Sequence, residues 1–155
     1  MRYTTYLRSL ILGVGVISAW SALIPQFRDF LAVYGTLWHA STTAASNPLL
    51  TPCLYGSLAF LAALVWSLWL DINPNPDSGK WLSRFLVFGI VFAAVVTSYE
   101  CADYFGLFKF GVPLVCKPGV NPLYTPCFRG LIFFIAAYAA GRWQHKAQAS
   151  APAIS

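Results

Sequence analysis

Acidic side chains are nearly missing from this chain. Asp and Glu together number five in 155 residues, and all charged types make up only 10% of it. A water-soluble domain carries roughly 25% charged residues, so there is too little charge here to coat a globular surface. Histidine is as scarce: His39 and His145 are the only two. They fall on opposite sides of the layout derived below, which excludes a bis-histidine haem site. Four cysteines are present, yet no two stand in the Cys-x-x-Cys spacing that usually marks redox chemistry. A glycine-rich nucleotide loop, a zinc-ligand spacing and a nucleophile elbow are absent too.

What fills the chain instead is apolar residues, at 58%. Four runs approach the roughly 20 residues needed to cross a hydrocarbon layer about 30 Å thick. They cover Leu7–Phe27, Pro52–Leu70, Trp81–Tyr99 and Pro126–Trp143. The last contains Arg129 and Arg142 near its ends, where long basic side chains can reach headgroups. Tyr6, Trp69, Trp81, Tyr99 and Trp143 stand at or near the ends of the runs, as an interfacial aromatic belt does. The class read from this is an all-α integral membrane protein, a four-transmembrane-helix bundle forming one domain over residues 1–155.

Arg2, Arg8 and the first apolar run resemble a signal peptide, but Ile24-Pro25-Gln26-Phe27 offers no small-x-small cleavage site. Basic residues set the orientation. Arg2, Arg8, Lys80, Arg84, Arg142 and Lys146 flank one side, against Arg28, Lys109, Lys117 and Arg129 on the other. Both termini are therefore expected in the cytoplasm of a cell with an inner membrane. Loops 28–51 and 100–125 then face outward. The net charge of +5 is the ordinary positive-inside imbalance and calls for lipid, not nucleic acid, as the partner.

The sequence also repeats. Residues 47–69 and 121–143 are identical at 11 of 23 positions without a gap, an offset of 74. Asn47, Pro48, Thr51, Pro52 and Cys53 fall on Asn121, Pro122, Thr125, Pro126 and Cys127. At the same offset Leu12, Gly15, Ala19 and Asp29 match Leu86, Gly89, Ala93 and Asp103, so the first run corresponds to the third and belongs to the mature protein. The repeats occupy 6–70 and 80–143, with a polar cytoplasmic linker at 71–79 and a loose tail at 144–155. Two spans separate equivalent positions, which predicts two like-oriented helical hairpins about an axis along the membrane normal. Apolar stretches at 30–35 and 104–108 are expected to lie in the interface within the outer loops.

The repeat sorts the candidate residues. Thr51 and Thr125 read as helix N-caps with Pro52 and Pro126 at the first helical position. Cys53 and Cys127 then sit in a first turn, where the unpaired N–H groups favour thiolate. Three readings of the pair stand open: buried core residues, a disulfide across the axis, or a working redox or metal pair. Cys101 and Cys116 have no counterparts, and 15 residues apart in one outer loop they are expected to form a structural disulfide. Asp29 and Asp103 are counterparts that either cap the following segments or join the cysteines around a cation or proton path; which metal, if any, is unknown. Arg129, two residues after Cys127, either anchors a helix end or offers a cation to an anionic headgroup or quinone.

Three functions fit. The first is a two-fold cysteine site at the outer face that handles electrons or a soft ligand, with quinone as the cofactor a redox role would use. In layout alone this resembles quinone-linked membrane enzymes that generate disulfides. The second is an accessory or assembly subunit of a larger membrane complex, its cysteines serving as staples. The third is a small homodimeric carrier.

Overall fold

A computed structural model describes residues 6–37, 48–107 and 121–149. Asn47, His39, Cys116, Lys109 and Lys117 lie outside them, as do the middle of both outer loops and the last residues of the tail. Four long α-helices account for nearly all of the described residues, with no strand among them: α1 (Leu7–Tyr34), α2 (Pro52–Ile72), α3 (Pro76–Tyr104) and α4 (Pro126–Ala149). A short 3-10 turn precedes each even helix, Pro48–Leu50 before α2 and Pro122–Tyr124 before α4.

Three of these helices, α1, α2 and α3, are long and apolar enough to cross a membrane. α4 has the length but carries Arg129 and Arg142 inside its apolar stretch and is not among them. Large apolar side chains point outward along the bundle, including Ile17 at 71% exposure, Val65 at 60% and Phe88 at 68%. Exposure on that scale suits a hydrocarbon surrounding better than water.

The helices run further than the apolar runs that predict them. α1 continues through Arg28, Asp29 and the expected interfacial stretch, with Pro25 inside it, and stops only at Gly35. That glycine takes the left-handed conformation (φ 67°) and returns its N–H to Leu31 O at 2.9 Å, closing the helix as an αL cap does. α3 likewise absorbs Glu100, Cys101 and Asp103 before Gly106 turns left-handed (φ 69°). The linker expected at 71–79 shrinks to Asn73, Pro74 and Asn75. Asn75 accepts from the N–H groups of Asp77 and Ser78, and Pro76, whose missing N–H costs nothing at a first helical position, starts α3 at once. At the other end α4 runs five residues beyond Gln144 into the expected tail. Hydropathy marks where a chain can lie in lipid; the helix itself is limited only by caps, so both ends overrun.

Around the bundle, α1 packs on α2 and α4, while α3 packs on α4 and more lightly on α2. The backbones of α1 and α3 stand apart on one diagonal, whereas those of α2 and α4 meet along the middle. The core forms there. Phe60 of α2 and Phe134 of α4 stack with ring centroids 4.0 Å apart at 18°. Each ring lies under a glycine of an odd helix. A Cβ on Gly15 would sit 2.8 Å from Phe60, and one on Gly89 would sit 2.8 Å from Phe134. Small residues that let helices approach closely are the usual basis of packing where lipid removes the hydrophobic contrast. Leu12, Ala63, Leu82, Leu86 and Ala137 complete the core, all at most 1% exposed.

Candidate functional site

Cys53 and Cys127 begin α2 and α4, and their sulfurs lie 3.9 Å apart. At that distance the two are in contact but not joined, since a disulfide holds its sulfurs about 2.05 Å apart. Cys127 carries a thiol. Cys53 is disulfide-bonded, and Cys101 is a thiol like Cys127. Cys116, the partner expected for Cys101, lies outside the described residues. The expectation placed both residues in one loop, whereas α3 holds Cys101 in its last turn.

The sulfur pair opens onto a narrow apolar cavity of about 40 Å³ between the helices. Pro52, Gly56, Pro126 and Gly130 wall it beside the cysteines, Gln26 and Ala19 close one flank, and Phe60 and Phe134 form the floor. A space of that size holds a few waters at most.

Glu100 is the charged neighbour. It is 3% exposed in the last turns of α3, and its carboxyl is a hydrogen-bond partner of the Cys127 side chain. The Thr125 hydroxyl lies 2.7 Å from Glu100 Oε2 and 2.7 Å from Pro122 O. One hydroxyl hydrogen faces two acceptors, so it can satisfy only one of them fully at a time. Thr125 also receives the Phe128 N–H at 3.4 Å, the capping role expected of it. Thr51 behaves differently. Its hydroxyl donates to Pro48 O at 2.9 Å and caps no helix N–H. Asn121 caps its own turn by accepting from Leu123 N at 3.0 Å. The two copies of the motif thus share their backbone turn while only the second is tied to a carboxylate.

The remaining candidates stay apart from the sulfurs. Asp29 and Arg129 are exposed on α1 and α4, Asp103 is half-buried on α3, and none of the three lines the cavity. Among the described residues no group of three His, Cys, Asp or Glu could hold a metal ion. The side chain of His145 and the whole of His39 and Cys116 fall outside what is described. Sequence reasoning passed over Glu100 because its counterpart is Gln26 and a repeated residue drew more weight. The usable signal was the opposite one: the chain's one glutamate, at a position the repeat does not keep.

A second buried polar group occupies the far end of the bundle, where α1 begins and α2 finishes. Arg8 is 6% exposed and donates through Nε to Ser67 Oγ at 2.9 Å, Ser9 and Ser67 share a 2.7 Å bond, and Ser9 Oγ donates to Asp71 at 2.5 Å. Arg8 Nη2 and Asp71 Oδ1 are 3.9 Å apart. No family model, curated protein or solved structure matches the chain, so the site is read from its own chemistry.

Proposed function

We propose that this chain is an inner-membrane protein of four spans, two like-oriented hairpins with both termini in the cytoplasm, that carries out thiol–disulfide exchange at its outer face. The reading of α4 as a span rests on its 24-residue length and on the outward reach of Arg129 and Arg142. The reading of two like halves is supported by the matched Gly15–Phe60 and Gly89–Phe134 contacts, which recur at the 74-residue offset.

The observation that carries the function is the 3.9 Å approach of the Cys127 thiol to the sulfur of Cys53. Exchange needs a thiolate aimed at a disulfide sulfur. In the proposed step Cys127 passes its proton to Glu100 and its sulfur bonds to that of Cys53. The older bond of Cys53 breaks, and the sulfur released leaves as a thiolate that takes the proton back. One disulfide is lost and one gained, so no electrons enter or leave. A thiolate from the outer compartment then attacks the Cys53 sulfur, forming a mixed disulfide there and returning Cys127 to the thiol. Its narrow cavity admits a sulfur or a water; an extended quinone would have to act from the lipid side.

Isolated membranes provide the test. After brief oxidation with a small disulfide and trapping of thiols, non-reducing peptide mapping should recover a Cys53–Cys127 linked peptide. Cys127→Ser should leave the original Cys53 bond in place under the same treatment. Failure to find the 53–127 link under any redox condition would remove this reading.

A further inference from the structure

Away from the sulfurs, α3 and α4 face each other across an open groove of about 820 Å³. Its α3 wall carries Lys80, Arg84, Val87 and Phe88; its α4 wall carries Tyr138, Arg142 and Lys146. These positions recur every three or four residues, so each set forms one stripe along its helix. The helices are antiparallel, and all four cations gather at the end where α3 starts and α4 finishes, with Asp77, paired to Lys80 at 3.0 Å, as the one acid beside them. Val87, Phe88 and Tyr138 continue the groove toward the bundle centre as an apolar track. Phe88 is 68% exposed, so that track faces outward.

The other half of the molecule supplies a control. Subtracting the 74-residue offset carries Lys80, Arg84, Arg142 and Lys146 onto Tyr6, Leu10, Leu68 and Ile72. Those four are just as outward, at 56%, 65%, 45% and 77% exposure, and none is charged. A general need for cytoplasmic cations would be met equally well on either half. Four cations against the single Asp77 leave a net positive field for an anion along one groove, and the adjoining track suits an acyl chain. Arg84 is steadied beside Trp81, its guanidinium carbon 5.0 Å from the ring centroid, at the level where tryptophan meets headgroups.

We infer that the α3/α4 groove binds one anionic phospholipid of the inner leaflet, its phosphate held by Arg84, Arg142, Lys80 and Lys146 and one acyl chain laid along Val87, Phe88 and Tyr138. The site rests on α3 and α4 both spanning the bilayer, and it is independent of the thiol chemistry.

Native mass spectrometry of the detergent-purified full chain, titrated with dioleoylphosphatidylglycerol or dioleoylphosphatidylcholine, tests the assignment. Phosphatidylglycerol should remain bound at a collision energy that strips phosphatidylcholine. Removing two cations in Arg84→Gln/Arg142→Gln should weaken its retention about 25-fold, at roughly fivefold per cation. Lys80→Gln/Lys146→Gln, at exposed positions, repeats the measurement should the first variant fold poorly. Equal retention of the two lipids, or phosphatidylglycerol retention unchanged in a folded variant, overturns the site. Equal binding of glycerol phosphate alone would show an anion site without a lipid and overturn it as well. Carbonate extraction of membranes separates the failures: a chain released by carbonate defeats the span reading, while a retained chain with no lipid preference defeats the groove alone.

Discussion

The two ends of the bundle bury polar groups to a similar degree and use them in opposite ways. At one end Arg8, Ser9, Ser67 and Asp71 form a closed circuit in which strong donors meet strong acceptors. At the other, Glu100 stands beside a Thr125 hydroxyl shared with Pro122 O and beside the thiol of Cys127. Buried polar groups fully supplied with partners lock a structure, and those supplied by a contested proton are positioned to change state. The difference teaches that burial alone does not mark a functional site; the quality of the donors does. The first end fastens α1 to α2, and the second sets a carboxyl beside two sulfurs, where the proposed exchange would use it.

The contrast can be broken at either end. The largest effect is expected from Glu100→Gln, which keeps the shape but removes the proton acceptor. Exchange between Cys127 and an aromatic disulfide should slow about 100-fold near neutral pH, the usual scale of general-base help. A Glu100 that acted only as a charge would leave that rate unchanged or raise it, so the sign of the change decides. At the opposite end, Arg8→Met should cost about 3 kcal/mol by leaving Asp71 buried without its cation, read as a fall in midpoint during denaturation in detergent. Exchange by the folded fraction should be unaltered, because the circuit lies at the far end from the sulfurs. Gly89→Ala tests the middle. The added methyl meets Phe134 at 2.8 Å, and overpacking of that kind costs about 1–3 kcal/mol. The same substitution at Gly15, against Phe60, should give a loss of similar size if the two halves are equivalent.

Much of the frame could be read from the amino acids. Apolar runs located the helices, and the offset between Cys53 and Cys127 singled out the pair that the fold sets 3.9 Å apart. Helix ends were less legible, because Asn75 and Gly35 act through local hydrogen bonds that hydropathy does not register. The circuit of Arg8 and Asp71 escaped notice for another reason: it joins residues 63 apart in sequence whose counterparts, Leu82 and His145, carry no matching pair. Glu100 was hidden likewise by its departure from Gln26. Repetition picked out the two sulfurs, while the carboxyl beside them stands where the halves differ.

The stacked rings of Phe60 and Phe134 have a bearing on more than packing. They lie two helical turns in from the cysteines, about 10 Å deeper. A hydrated sulfur centre open at both ends would be a leak for protons down the membrane potential. On the proposed reading the two stacked rings are the electrical insulator, returning any exchanged proton to the mouth through which it entered.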